Sequence, residues 1–376
     1  MRFGAARMIN RIDPFVVCST FLLIALGLVA IVSATIYRAD EVLNPYVVRH
    51  AIYMLLAVVV FFTLLHIPLA LFHKFHKILF LGTLVISVLV LIPWIGVVAG
   101  GGRRWIDLGL MTVQVTEVAR FLVPVYVAGH LANTYSAIRV STSATLRPIF
   151  WVGILLVLFI LQPDFGSAVL IGGVTVGMLY VAGARFRDLI LLGIVGAGGL
   201  AYVFYHRWDR ITAFLDTWTH SSGEGYQLAQ SLIGFGRGEL TGVGFGDSVQ
   251  KFLYLPESHN DFIFSVIVEE TGFLGGALLL LLLVALVCRC WQIGKQALEQ
   301  NRYFAGYIAF GAGLMLGFQT LINVGVTMGA LPTKGLTLPF ISFGGNSLLV
   351  CVALVALVCR ARAETLHPKL RRDDLV

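Results

Sequence analysis

The chain has 376 residues, of which 58% are hydrophobic and only 12% charged. Soluble domains run at about 45–50% apolar and about 25% charged, so a water-soluble globular protein is excluded and lipid must cover the excess. The formal charge of +7 follows from loop residues on one side of the spans and calls for no nucleic-acid partner.

Runs of about 18 or more apolar residues recur along the chain, each long enough to cross ~30 Å of hydrocarbon. They predict an all-α, polytopic membrane protein with about ten transmembrane helices. The spans centre on 15–36, 47–65, 78–98, 116–133, 148–162, 166–183, 189–205, 261–287, 304–327 and 342–359. One membrane domain occupies 1–376, with a single large ordered extracytoplasmic loop over 206–260. Arg2, Arg7, Arg11, Lys74, Lys77, Arg139, Arg147, Arg185, Arg187, Arg289 and Lys295 fall on one side, against Arg38, Arg49, Arg103, Arg104 and Lys334 on the other. The positive-inside rule then places both termini in the cytoplasm. Val32-Ser33-Ala34 imitates a signal-peptidase site, but the apolar stretch exceeds a usual h-region and reads as an uncleaved anchor. The cysteines lie in or beside spans, so neither disulfides nor zinc are expected.

Ionisable groups in or beside spans are functional candidates because desolvating them costs several kcal/mol. In GGGRRWIDLG, Arg103 and Arg104 break the local charge bias. Forked contacts to phosphate and headgroup anchoring beside Trp105 are equal readings. In QVTEVAR, Glu117 and Arg120 share one helix face; they either neutralise each other or meet a substrate or ion. In QPD, proline ends a helix and leaves Asp164 at its end. There it could hold a hard cation, or act as a cap or ion-pair partner.

Within the large loop, Ser222–Leu232 predicts a short amphipathic helix at the membrane surface. The following GFGRGELTGVGFG lacks the spacing of a dinucleotide loop or a P-loop. Tight turns and close backbone packing explain its glycines better, and no nucleotide is expected. YLPESHNDFIF then crowds Glu257, His259 and Asp261 at the lip of the eighth span, where Asp261 also reads as a plain helix N-cap. ALPTKGLTLPFISFGG interrupts the apolar pattern with prolines and glycines, as a cavity-lining irregular segment does, and carries Lys334. Residue types thus suggest an outward-facing polar cavity and name no reaction.

RRWIDLG, QVTEVAR, QPDFG, GYQLAQSL, GVGFGDSVQK, YLPESHNDFIF and LPTKGLTLPFISFGGNSLL occur in this order over nearly the whole chain. In these segments the chain resembles the shape, elongation, division and sporulation family, the FtsW/RodA-type membrane glycosyltransferases, and its cell-division branch most. The resemblance implies polymerisation of lipid II into β-1,4 glycan strands outside the bacterial cytoplasmic membrane, at the division septum. It implies a class B penicillin-binding protein and other division proteins as partners. By motif, the essential aspartate of HTDFIF falls on Asp261, the QPD aspartate on Asp164, and the QPSE-x-x-K pair on Glu117 and Arg120. The arginines that contact lipid phosphate fall on Arg49, Arg104 and Arg210. Arg120 stands where lysine is usual and Asn260 where threonine is usual; Phe343 and Asn346 alter the usual SYGGSS.

The implied reaction joins a sugar 4-hydroxyl to an anomeric carbon as undecaprenyl pyrophosphate leaves. Asp261 is the candidate general base. Arg49, Arg104, Arg120, Arg210, Lys334 and His259 are candidate substrate contacts, joined by Glu117. Asp164 and Glu117 either position a divalent cation, Mg²⁺ or Mn²⁺, or orient the arginines. A lipid II flippase and a non-catalytic division scaffold are the rival readings. A flippase needs polar groups near the midplane and related halves, and the charges here gather at one face.

Overall fold

The computed structural model describes residues 12–36, 44–99, 101–107, 109, 112–206, 208–333 and 335–366. Among the described residues the long helices are α1 Pro14–Thr35, α2 Pro45–His66, α3 Leu69–Leu89, α4 Val115–Asn133, α5 Thr142–Leu161, α6 Phe165–Val181, α7 Phe186–His206, α10 Ile263–Glu299, α11 Tyr303–Thr327 and α12 Gly345–Thr365. Two shorter ones, α8 Trp208–Leu215 and α9 Tyr226–Gly238, lie between α7 and α10, followed by a π-helical turn at Gln250–Tyr254. Among the described residues seven helices are long and apolar enough to cross a membrane (α1 to α5, α10 and α11), and α6 is apolar but shorter. Exposed side chains such as Leu55, Ile78, Phe150 and Leu278 give the bundle an apolar exterior.

Local grammar sets the helix starts. Asp13 and Asn44 cap α1 and α2 through their side chains, each followed by proline at the first helical position. Asp164 caps α6 in the same way. The centre is built from α4, α11 and α12, with α10 packed along α11 and α2 along α12. From Cys351 to Ala361 every residue of α12 is buried, so this helix shows no amphipathic face.

Four expectations are corrected. The third helix covers Leu69–Leu89 rather than 78–98, because it starts directly after Pro68 and carries Lys74 and Lys77 in its first turns. The end of the apolar run forms strand instead: β1 Gly96–Ala99 joins β2 Gly102–Asp107 and β3 Thr112–Gln114 in an antiparallel three-stranded sheet, with Val97 opposite Trp105 and Trp105 opposite Gln114. The fold is therefore all-α with one small sheet. The surface helix expected at Ser222–Leu232 is α9, displaced toward the glycine run, because residues 216–225 are taken up by turns. Asp261 is not an N-cap: α10 begins at Ile263 and Phe262 holds the cap position.

Helix α10 is broken at Gly272, whose φ of 71° and ψ of −175° suit only glycine. Gly242, at φ 83°, lies against the break, where a Cβ would come 2.1 Å from the Glu270 carbonyl oxygen. The glycine run thus serves close backbone packing.

At the other end of the bundle, buried Asp13 pairs with Arg289 at 2.8 Å and Arg362 at 2.6 Å, tying α1 to α10 and α12. Burial works to raise the Asp13 carboxyl, but the Arg289 hydrogen bond, the Val16 amide and the two guanidinium charges outweigh it and hold it below the usual range. A carboxyl depressed in the native state stabilises fully above its unfolded value of about 4. That contribution disappears as pH falls through the native value. Asp13→Asn, which keeps the cap, is expected to lower stability by about 1.5–3 kcal/mol at neutral pH. In thermal scans of the detergent-solubilised protein the gap to wild type should close as pH falls below about 4.

Candidate active site

The turn 255–262 leads the chain into α10 and carries Glu257, His259 and Asp261. Asn323, on α11, fixes this turn: its Nδ2 donates to the Asp261 carbonyl at 2.8 Å and to the Leu336 carbonyl at 2.6 Å. The irregular segment after α11 therefore runs beside the turn, and a Cβ at Gly335 would lie 2.9 Å from Asp261 Oδ2. His259 is buried as a wall residue, its ring edge-on to Tyr46 at 4.9 Å and near Phe343 at 5.6 Å. Its carbonyl accepts from the Phe343 amide.

Asp261 is partly exposed but ringed by protein. Burial pushes its carboxyl up to about 7; Glu257 pushes the same way, while Arg104 and Arg120 pull it down. Two arginines and one further carboxylate thus lie within electrostatic reach of Asp261. Asn260 donates from Nδ2 to Glu257 Oε2 at 3.3 Å, so the residue that stands where threonine is usual holds the neighbouring carboxylate. Asn346 donates to the Thr112 carbonyl, stapling the start of α12 to β3.

The arginines are held by a chain of polar contacts. Arg120 Nη1 donates to Glu117 Oε1 at 2.5 Å, and its Nη2 to Ser167 Oγ at 3.0 Å. Ser167 Oγ donates to Asp164 Oδ2 at 2.9 Å, and Asp164 Oδ1 accepts from the Ser167 amide. Arg104, on β2, faces Asp164 Oδ2 at 3.7 Å. Arg120 and Glu117 are almost fully buried, whereas the Arg104 side chain keeps 21% of its exposure. The sheet is what carries Arg104 here: Gly102 packs so close to the end of α5 that a Cβ there would lie 2.6 Å from the Gln162 carbonyl oxygen.

Of the other sequence candidates, Arg49 is exposed on α2, beside buried His50. Lys334 lies outside the described residues, and so does the side chain of Arg210 on α8. Sequence reasoning missed Ser167, Asn323 and the Gln319–Thr337–Ser347 cluster, in which Gln319 Nε2 donates to Thr337 and Ser347. Gln319 and Asn323 are amides one helical turn apart in an apolar helix, a visible signal of an inward polar face.

The donor set for a protein-held divalent cation is poor. Glu117 and Asp164 are each engaged by an arginine, and of their oxygens only Glu117 Oε2 lacks a partner among the described residues. Among those residues no group of three His, Cys, Asp or Glu side chains could hold a metal. Both carboxylates are thus committed to arginines, which compete with a cation for the same oxygens.

A family model described as a cell cycle protein, covering FtsW, RodA and SpoVE, matches residues 14–367. The chain belongs to this family. Two relatives named probable peptidoglycan glycosyltransferase FtsW agree over most of their length. The one from Coxiella burnetii is 42% identical over 359 residues, 94% of this chain and 96% of its own. The one from Halorhodospira halophila is 43% identical over 368 residues, 94% and 92% respectively. Among solved structures, a chain of a peptidoglycan synthase complex that coordinates polymerization and crosslinking superposes with a TM-score of 0.78 at 25% identity, over 95% of this chain and 99% of that one. The rod-shape-determining protein RodA of Thermus thermophilus gives 0.70 at 25% identity, over 95% and 98%. The family's cell-division members thus supply the relatives, and its polymerising complex a fold match.

Proposed function

We propose that this FtsW/RodA-family protein is a peptidoglycan glycosyltransferase that polymerises lipid II, with Asp261 as the general base. The observation that carries the base assignment is the placement of one carboxylate, pushed up to about 7, within reach of Arg104 and Arg120. The acceptor 4-hydroxyl attacks the anomeric carbon of the donor, and its proton passes to an Asp261 oxygen. The new C–O bond forms as the bond to the pyrophosphate breaks, with inversion from an α-linked donor to a β product. A base whose pKa lies near working pH combines an adequate ionised fraction with enough basicity.

The arginines take different parts. Arg120 is locked on Glu117 and Ser167 and positions the chain that ends at Asp164. Arg104 faces Asp164 with part of its side chain exposed, placed to meet pyrophosphate as negative charge develops on the leaving group. Arg49, Arg210 and Lys334 add positive charge for the same group. Asp164 and Glu117 orient Arg104 and Arg120 rather than hold a divalent cation.

Ten helices cross the membrane with both termini in the cytoplasm, so the site and the loop 206–260 face the periplasm. A class B penicillin-binding protein at the septum receives the glycan strand. The support for that partner is the fold shared with a chain of a synthase complex. Purified protein in nanodiscs with lipid II and Mg²⁺ is expected to give glycan strands on a gel, with more product when a class B partner is added. Movement of a fluorescent lipid II analogue across a liposome without any polymer would overturn this reading.

A further inference from the structure

Beyond the site, α10 carries two adjacent buried carboxylates, Glu269 and Glu270, that the proposed chemistry leaves unused. Both lie at the helix break. The broken helix exchanges backbone hydrogen bonds with the loop: Glu269 and Glu270 carbonyls accept from Val243 and Gly244, and the Phe273 and Leu274 amides donate to Glu239 and Leu240. Side chains extend the join. Glu269 accepts from Arg237 at 2.6 Å, from Ser248 Oγ, and from the Val249 and Gln250 amides at 3.1 and 3.3 Å. Glu270 Oε1 accepts from Lys251 Nζ at 3.0 Å and from Ser33 of α1 at 2.6 Å. Lys251 is fully buried and also donates to the Gly246 carbonyl.

The consequence is topological. The chain leaves Lys251, runs through the π-helical turn and the turn bearing Glu257, His259 and Asp261, enters α10, and returns to Glu270. The Lys251–Glu270 pair closes that excursion at its base, and Ser33 anchors the closure to α1. Buried ion pairs are poor sources of net stability, because apolar replacements of both partners are often neutral or better. What such a pair does supply is one geometry, since its charges tolerate no other partner in apolar surroundings.

We propose that Lys251 and Glu270, supported by Glu269 and Ser33, are positioning residues for the glycosyl transfer, a buckle that sets Asp261 against Arg104 and Arg120. This rests on Asp261 being the base. Displacing a catalytic group by about 1 Å costs up to about 10²-fold in rate, and a slack buckle displaces Asp261 relative to Glu257, Arg104 and Arg120 together.

The test uses the full chain in nanodiscs with lipid II, comparing Lys251→Met, Glu270→Gln, the double variant Lys251→Met/Glu270→Met, and Ser33→Ala. Expected is a kcat lowered about 10- to 100-fold, with KM changed less than about twofold, in the single variants. The acid limb of the rate against pH should move. The double variant should recover thermal stability but not kcat. If the single variants do not fold, the double variant and Ser33→Ala decide the matter by the same readouts. Wild-type kcat in a folded variant overturns the proposal. So does a loss of rate that follows thermal stability and leaves the pH profile in place. Asp261→Asn, run alongside, separates the two ideas. If it is inactive while the buckle variants are normal, only the buckle falls; if it is active, the base assignment falls.

Discussion

Asp261→Asn is expected to lower the lipid II polymerisation rate by about 10²–10⁴-fold, the usual contribution of a positioned general base, while the protein stays folded and still binds lipid II. The asparagine is isosteric and can keep the turn, because the contact that fixes it runs from Asn323 to the Asp261 carbonyl rather than to its carboxylate. The same side chain sets the pH dependence. With its carboxyl pushed up to about 7, the ionised base accumulates as pH rises, so kcat/KM should climb through an acid limb near neutrality and level off above it. Glu257 is one of the groups holding that value up. Glu257→Gln removes the like charge and should move the limb to lower pH. Substituting Arg104 should move it to higher pH, since that cation favours the charged form. A stability effect follows with the opposite sense: a carboxyl raised in the native state favours folding below its unfolded value. That contribution is lost as pH rises through about 7. A flat rate profile from pH 5 to 8, or full activity in Asp261→Asn, would remove Asp261 from the role of base.

Much of this architecture is written locally. Asp13-Pro14 and Asn44-Pro45 announce helix starts through a cap and a fixed proline φ, and Asp164 announces one through its cap alone, none of which needs tertiary information. The apolar runs locate most of the long helices because their length is a property of the segment alone; the third is misplaced. The sheet was illegible because its strands are short and the first, Gly96–Ala99, continues the hydrophobic run of α3; only pairing of Val97 with Trp105 tells strand from helix end. The site was half legible. Glu117 and Arg120 share a helix face by spacing, and their contact follows. Ser167, which joins Arg120 to Asp164, is one hydroxyl in an apolar helix, unremarkable until α4 and α6 pack. The Lys251–Glu270 closure is likewise invisible along the chain, since it depends on the break at Gly272 folding the loop back onto α10. Residue type alone read Asp261 as a cap, and only the family resemblance made it a candidate base; the start of α10 at Ile263 removes the first reading.

Arg120→Ala is expected to be the most destabilising single change in the site. Arg120 and Glu117 keep 3% and 5% of their side-chain exposure and meet at 2.5 Å. Removing the guanidinium strands the Glu117 carboxylate in apolar surroundings, and breaking such a pair from one side costs about 3–5 kcal/mol. It also frees Ser167, so Asp164 and then Arg104 lose their lateral support. Arg120→Lys should cost far less in stability, since a single ammonium still neutralises Glu117. It cannot fork to Ser167 as well, so its main effect should fall on rate. The double variant Glu117→Leu/Arg120→Met discriminates between stability and positioning. With no buried charge left, thermal stability should return close to wild type, whereas polymerisation should stay low because the chain to Arg104 has lost its anchor. Thermal scans in detergent and glycan gels on the same preparations read both quantities. Near wild-type stability in Arg120→Ala would show that the pair is solvated rather than buried. Restored polymerisation in the double variant would show that it neutralises charge and positions nothing.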